Sequence, residues 1–317
     1  MAENLRDPLF LFFLVGLTGG LLKSDLKLPD AVYQLLSTYL LLAIGLKGGV
    51  ELSLADPARI AWPALATLGL GAGMAVGVFA VMSRLARLGR ADAAAFAAHY
   101  GSASAVTFAA AVAAVQRTGA QPEGILAVLL VILEVPAILV AIFLHRLGAS
   151  GGRAAGYGEI LHEVALNRSV FLLLAGIAVG AAVGPDRFAP FEPLFVGAFK
   201  PILAFFVLEM GLLAAHRLPE LRRNGVRVGA AALLIPLAGG ALGGWAGLTA
   251  GLSPGGATVL ATLAASASYI AAPAAVRLAI PEANTGMCVA AALGVTFPFN
   301  LSFGIPLYTW WVGWLGR

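Results

Sequence analysis

Two stretches of the sequence place hydroxyl groups and glycine where an ordinary membrane-spanning helix has no need of them. Residues 99–107 read HYGSASAVT and residues 264–273 read AASASYIAAP, each within a long apolar segment. Such runs are natural places for a helix to break, and a break frees backbone N–H and C=O groups. Helix N-termini attract anions, whereas freed carbonyls and hydroxyls suit a hard cation such as Na⁺. The stretches therefore predict a paired ion site, with close helix packing as the alternative.

Three of the ionisable residues within apolar segments are candidates for function, because a charge there is costly. Glu134, which precedes Val135 and Pro136, is the deepest of them. It could ligate a cation, carry a coupling proton, or bond to a broken helix. We expect Glu209 to have a structural or gating role. His99 could titrate near neutral pH, although a single helix histidine is more often structural.

Other function classes lack the residues they need. The remaining histidines, His145, His162 and His216, do not have metal-ligand spacing, so a zinc site is not expected. The sequence has no phosphate-binding glycine loop and no convincing nucleophile and base pair, which argues against ATP coupling and against an intramembrane enzyme. The single cysteine, Cys288, excludes an intrachain disulfide. No basic cluster is interleaved with aromatics, so no nucleic-acid partner is expected.

Composition predicts an all-α polytopic membrane protein. Of the 317 residues, 60% are hydrophobic and only 11% are charged, whereas soluble domains carry about a quarter charged residues. A spanning helix needs about 20 mainly apolar residues, which leaves room for about ten spans. The predicted spans cover residues 8–22, 30–46, 60–82, 92–115, 124–144, 166–183, 192–215, 226–252, 257–278 and 284–314.

The distribution of Lys and Arg predicts the orientation of these spans. Of the 20 Lys and Arg, thirteen lie in or next to the loops after odd-numbered spans, six lie on the opposite side, and Lys200 lies within the seventh span. Because cytoplasmic loops carry the excess of basic residues, the odd-numbered loops are expected in the cytoplasm. Both termini are then outside, in a bacterial inner membrane.

The two halves of the chain share landmarks in the same order. Residues 42–47 correspond to 208–213, the glycines at 69, 73 and 77 to those at 239, 243 and 247, and residues 134–136 to 296–298. We expect both glycine ladders to serve helix packing. Since each half has five spans, an odd number, the second half is inserted inverted, as in many secondary transporters. The predicted divisions are residues 1–147 (first repeat), 148–165 (cytoplasmic linker) and 166–317 (second repeat).

The chain resembles the SbtA-type sodium-dependent bicarbonate transporter family over nearly its whole length. The resemblance is carried by residues 45–49 (GLKGG), 101–104 (GSAS) and 134–136 (EVP). Its most specific part runs from residue 266 through Arg277 and Asn284 to residues 304–307 (GIPL).

The resemblance implies a homotrimer in a lipid membrane. Each protomer would pair a gate or scaffold domain of spans one, two, six and seven with a mobile core of spans three to five and eight to ten. Substrate and Na⁺ would bind where the broken fourth and ninth spans face each other. In cyanobacterial members a PII-like protein docks on the cytoplasmic face, but the connection between spans five and six is short here.

Carried over by position, the resemblance implies specific site residues. The expected substrate-binding residues are Gly101, Ser102, Ala103, Ser104, Ser266, Ala267, Ser268 and Tyr269. The expected Na⁺ ligands are Ser102, Thr107, Ser268 and Glu134, with Glu209 and His99 in gating or support.

One residue departs from the family pattern. Bicarbonate-transporting members carry an Asp directly after the Ser run of the ninth span, and this sequence has Tyr269. A phenol is a neutral hydrogen-bond donor, whereas a carboxylate is a hard cation ligand. The paired stretches predict a carrier of a small anion, and the resemblance implies Na⁺-dependent bicarbonate uptake by an elevator-like core movement. The alternatives are a proton- or Na⁺-coupled carrier of another small organic anion, and a non-transporting membrane sensor or scaffold.

Overall fold

A computed structural model describes residues 7–26, 28–56, 58–147, 156–223 and 225–317. The α-helices are α1 (Pro8–Leu21), α2 (Asp30–Ser53), α3 (Ala58–Ala80), α4 (Arg90–Gly101), α5 (Ala105–Arg117), α6 (Leu126–Arg146), α7 (Tyr157–Leu166), α8 (Arg168–Phe188), α9 (Phe199–Arg223), α10 (Gly225–Thr249), α11 (Pro254–Ala264), α12 (Ala271–Ala279), α13 (Thr285–Ala291), α14 (Phe297–Phe299) and α15 (Ile305–Leu315). Four π-helical turns, Val81–Leu85, Pro193–Gly197, Ala292–Thr296 and Asn300–Gly304, and a 3₁₀ turn, Ala189–Phe191, join or extend them. No strand occurs in these ranges.

Within the described ranges, eight helical stretches are long and apolar enough to cross a membrane. They are Asp30–Ser53, Ile60–Leu85, Arg90–Arg117, Leu126–Arg146, Arg168–Phe191, Phe199–Pro219, Gly225–Thr249 and Thr285–Leu315. Two shorter apolar helices, Pro8–Leu21 and Pro254–Ala264, fall below the length of a complete span. The all-helical, multi-pass class expected from composition is therefore confirmed.

Two helix pairs pack along their lengths, α2 against α8 and α1 against α9. In the first pair a Cβ added at Gly45 would lie 2.6 Å from the Leu173 carbonyl oxygen and 3.0 Å from the Gly176 Cα. In the second pair, a Cβ added at Gly211 would overlap the backbone of α1 near Gly16. Small residues allow helix backbones to approach this closely, so glycine at matching positions of the two halves fixes both pairs.

Replacing Gly45 by Val is expected to destabilise the α2–α8 pair. The new side chain would meet the α8 backbone, which cannot move aside as a flexible side chain can, and overpacking of this kind costs about 1–3 kcal/mol. The matched control is Gly69→Val, because nothing lies within 4 Å of a Cβ at Gly69. Thermal unfolding of the two variants in detergent measures the difference, and equal melting temperatures would contradict the packing role.

The other helices pack around the broken segments. α3 contacts α4 and α6, α10 contacts α11 and α15, and α3 meets α10. The glycine ladder of α10 packs as expected, since added Cβ atoms at Gly239 and Gly243 would collide with α11. The same prediction is wrong for the ladder at 69, 73 and 77, where no neighbour lies within 4 Å. These glycines lie on the outer face of α3, and spacing alone does not say which face of a helix is covered.

The predicted cytoplasmic linker, residues 148–165, is helical in its second part. Residues 148–155 lie outside the described residues, as do Arg6, Lys27 and Arg153 of the charge count. From Tyr157 the chain forms α7, which packs against α12, α6 and α8. Ile160 and Val164, four residues apart, are buried on one face. This apolar spacing stabilises a short amphipathic helix, which the surrounding polar residues obscured.

Candidate functional site

Both predicted helix breaks occur. α4 ends at Gly101 and α5 begins at Ala105, and Ser102 between them has an extended backbone (φ −91°, ψ 177°). α11 ends at Ala264 and α12 begins at Ala271, with residues 266–268 outside any helix. The small residues and hydroxyls of the two stretches therefore mark interruptions of the helices.

The two breaks are hydrogen-bonded to each other. The Ser104 N–H donates to the Ser266 Oγ at 2.9 Å, and the Ser268 N–H donates to the His99 carbonyl oxygen at 2.7 Å. Each bond satisfies a backbone group that a continuous helix would have paired internally. The two breaks are therefore held against each other by hydrogen bonds. We call this part of the structure the crossing (residues 99–104 and 265–270).

Two helices begin at the crossing. The Ser104 side chain accepts from the Thr107 N–H at 3.2 Å at the start of α5, and the Ser268 Oγ accepts from the Ala272 N–H at 3.2 Å at the start of α12. Both helix N-termini therefore direct partial positive charge at this point.

The half-helices lead away from the crossing to opposite ends of the molecule. Beyond α5, Glu123 accepts from the Ser253 N–H at the outer start of α11 at 2.5 Å. Beyond α12, the Asn284 N–H donates to Asp92 in the first turn of α4 at 2.8 Å. α5 and α11 thus share one end and α4 and α12 the other, so the two N-termini approach the crossing from opposite directions.

A buried amide supports the second break. The Asn300 Nδ2 donates to the Ala265 carbonyl at 2.7 Å, and the Tyr308 hydroxyl donates to the Asn300 Oδ1 at 3.1 Å. Asn300 is 1% exposed. Sequence reasoning missed this residue, although an amide inside the apolar tenth span was a usable signal.

The variant Asn300→Ala is expected to lower stability by about 1–3 kcal/mol, because the Ala265 carbonyl would be left buried without its partner. The control is Ser302→Ala, whose hydroxyl bonds only to carbonyls of its own helix turn. Chemical denaturation in detergent compares the two. If Asn300→Ala lowers the free energy of unfolding no more than Ser302→Ala does, Asn300 does not support the break.

A narrow cavity lies beside the crossing. It is lined by Ala103, Ser104, Ala105, Glu134, Ser169, Ser268, Tyr269 and Ile270, and we call it the crossing cavity. Its volume of about 10 Å³ is room for about one water. Glu134, from α6, is 4% exposed and is the one charged residue among these lining residues. The Ser268 Oγ donates to its Oε1 at 3.5 Å.

Tyr269 lies in this cavity where the resembled family has Asp. Its ring packs edge-on against Phe297, with centroids 6.4 Å apart. Its hydroxyl is buried and lies near Ser104, but it makes no hydrogen bond of ordinary geometry among the described residues. The cavity therefore gains a neutral donor at the position where a second carboxylate was expected.

The structure brings together only part of the expected site. Ala103, Ser104, Ser268, Tyr269 and Glu134 line the crossing cavity. The other expected residues of the two stretches, Gly101, Ser102, Ser266, Ala267 and Thr107, are buried but do not line it.

These other residues differ in how their polar groups are used. The Ser266 hydroxyl is committed to the crossing and donates to the Leu263 carbonyl at 2.7 Å. The buried Ser102 hydroxyl has no hydrogen-bond partner in the described ranges. A Cβ added at Gly101 would lie 3.0 Å from Ala75 and from Ala137, so glycine is needed where α3, α4 and α6 meet.

The two residues expected in gating or support lie outside the cavity. The His99 Nδ1 is 2.7 Å from the Ala95 carbonyl oxygen, one turn earlier in α4. Because a carbonyl only accepts, Nδ1 carries the proton in this bond, and the Nε2 is buried with no hydrogen-bond partner among the described residues. Glu209 lies in α9, and its Oε2 is buried without a partner in the described part of the chain.

A larger cavity of about 80 Å³ lies between α2, α5, α6 and the connection into α9. Lys47, Glu51, Glu123 and Lys200 contribute its charged groups, and Phe108, Phe195 and Phe199 contribute aromatic walls. Lys47 and Glu51 are paired at 3.8 Å. The charges of opposite sign give this cavity no net preference for an anion.

A family model described as the Na⁺-dependent bicarbonate transporter superfamily matches residues 8–313, which is nearly the whole chain. No curated protein matches the chain significantly.

Proposed function

Because the chain belongs to the Na⁺-dependent bicarbonate transporter superfamily, we propose that it is a secondary active transporter that takes up bicarbonate together with Na⁺. The observation that carries the proposal is the crossing, where two helices begin beside a buried carboxylate. Helix N-termini favour an anion, and a carboxylate with hydroxyl oxygens favours a hard cation. One site thus offers both charges that a symporter of this kind must bind.

The residues at the crossing have separate roles in this proposal. The N-termini of α5 and α12 hold the anion. Glu134 and Ser268, which are already hydrogen-bonded, supply oxygen ligands for Na⁺. Because Tyr269 replaces a carboxylate, this Na⁺ site has one charged ligand where the family pattern has two.

We further propose ten spans in two inverted repeats. In such a repeat, span two corresponds to span seven and span six corresponds to span one. The α2–α8 pair (spans two and six) then corresponds to the α1–α9 pair (spans seven and one), and both pairs occur. These four helices would be the scaffold, and α3–α6 with α10–α15 would be the core that moves in an elevator-like step. A homotrimer in a bacterial inner membrane, with both termini outside, completes the proposal.

A second candidate is a proton- or Na⁺-coupled carrier of another small organic anion. Tyr269 favours it, because a phenol can donate a hydrogen bond to a carboxylate without binding Na⁺. A non-transporting sensor is less favoured, since continuous fourth and ninth spans would have been its signature and both are interrupted.

Uptake into proteoliposomes tests the proposal. Labelled bicarbonate is expected to enter faster with an inward Na⁺ gradient than with equal Na⁺ on both sides, with protein-free liposomes as the control. Uptake driven only by a proton gradient would overturn the Na⁺ coupling. No uptake of bicarbonate or of formate under either gradient would overturn the carrier function.

A further inference from the structure

One residue of the crossing cavity comes from a helix that sequence reasoning did not connect with the site. Ser169, in the first turn of α8, lines the cavity together with both breaks. It is 3% exposed, and its Oγ is buried with no hydrogen-bond partner among the described residues. A buried hydroxyl without a partner costs free energy, so its presence at a cavity wall needs an explanation.

Three helix starts converge on this cavity. α5 begins at Ala105 and α12 at Ala271, beside the wall residue Ile270, and α8 begins at Arg168. Within the described residues the Asn167 side chain accepts from one N–H of this turn, that of Ser169, at 3.1 Å, so the first turn of α8 retains donors of its own. The starts of α5 and α12 direct positive partial charge at the cavity, whereas the start of α8 is opposed by the C-terminus of α7, which ends at Leu166.

The hydroxyls of the cavity differ in how they are used. The Ser268 hydroxyl donates to Glu134, whereas the Ser104 oxygen accepts from the Thr107 N–H. The Ser169 hydroxyl has no partner within the described ranges, and the Tyr269 hydroxyl lies near Ser104 without a hydrogen bond of ordinary geometry. Ser169 and Tyr269 lie on different helix groups, Ser169 on α8, which packs on α2, and Tyr269 at the crossing.

We propose that Ser169 and Tyr269 form an oxyanion subsite across the boundary between the scaffold and the core, and that it takes a small monovalent oxyanion. The inference rests on the proposed function and names residues that bind its substrate. Each hydroxyl donates to one oxygen of the anion. The donors are neutral, and Glu134 adds a negative charge, so a dianion such as sulfate is disfavoured. A cation bound at Glu134 would offset that charge beside the anion.

The subsite also links substrate binding to the position of the core. Ser169 belongs to α8, which packs on α2, whereas Tyr269 belongs to the crossing. Because the cavity as it stands has room for about one water, an anion that contacts both groups must widen it while the two groups stay close to this alignment. The cavity is small, so loss of either donor cannot be compensated by a shift of the anion.

The test is bicarbonate uptake by proteoliposomes containing wild type, Ser169→Ala, Tyr269→Phe or Thr67→Val. Thr67 is the matched control, because its hydroxyl is likewise buried without a partner in the described ranges but lies in α3, away from the cavity. We expect Ser169→Ala and Tyr269→Phe each to raise the KM for bicarbonate about tenfold with little change in maximal rate, and Thr67→Val to change neither.

A second readout is the anion-dependent rise in melting temperature of the detergent-purified protein. Bicarbonate and formate are expected to stabilise wild type more than sulfate does, and Ser169→Ala is expected to lose most of this effect while its melting temperature without anion stays unchanged. Wild-type affinity in Ser169→Ala, or preferential stabilisation by sulfate, would overturn the subsite. A wild type that neither transports nor is stabilised by any of these anions would overturn the proposed function instead.

Discussion

Glu134→Gln is expected to reduce Na⁺-driven bicarbonate uptake about a hundredfold. The variant keeps the size and the hydrogen bond to Ser268 but removes the one charge among the residues that line the crossing cavity. Interactions with a charged partner contribute about 1.5–3 kcal/mol, or roughly 10- to 150-fold in rate or affinity. Initial uptake rates in proteoliposomes with an inward Na⁺ gradient measure the effect.

The matched control is Glu51→Gln in α2. Glu51 is also a membrane-segment carboxylate, but it is paired with Lys47 and its side chain is 35% exposed. We expect this variant to retain uptake within about twofold of wild type, because a partly exposed ion pair contributes little free energy. If Glu134→Gln transports as well as Glu51→Gln, the carboxylate at the crossing has no part in coupling.

The second large effect is expected for Tyr269→Asp. It restores a carboxylate beside the crossing cavity, close to Glu134 and Ser268, and so gives Na⁺ a second hard ligand. We expect the Na⁺ concentration for half-maximal uptake to fall about tenfold, which corresponds to ~1.4 kcal/mol. The measurement is bicarbonate uptake as a function of external Na⁺.

Tyr269→Phe distinguishes the effect of the added carboxylate from the effect of losing the phenol hydroxyl. This variant removes the hydroxyl and adds no ligand, so its Na⁺ dependence should stay at the wild-type value even though its affinity for bicarbonate falls. An equal gain in Na⁺ affinity in both variants would mean that removing the phenol, rather than adding a carboxylate, changes the site.

Much of the architecture follows from local patterns. Gly101 and the serines of both stretches predicted the two breaks, because small polar residues in an apolar segment disfavour a regular helix at that point. Glu134 was identified as the deepest intramembrane acid, and it lines the cavity. The two breaks are confirmed because that prediction rests on residues and their immediate neighbours along the chain, whereas the role of Glu134 stays a prediction.

The failures have a common physical cause. Asn300 and Ser169 are single polar residues whose importance depends on what faces them, namely the Ala265 carbonyl and the crossing cavity. The glycines at 69, 73 and 77 have the same spacing as those of α10 but face no neighbour. Spacing gives the faces of a helix, whereas the partner of each face is fixed by packing between distant segments.

The sequence by itself determined that the chain is helical, crosses the membrane many times, interrupts two of its spans and carries an acid near them. It did so because the cost of burying charges and unpaired backbone groups in an apolar segment is a local property. Only the tertiary structure decided that the two breaks bond to each other through Ser104–Ser266 and His99–Ser268. It also decided that Ser169 joins Tyr269 in one cavity, because hydrogen bonds and cavities between segments more than 60 residues apart depend on how the whole chain packs.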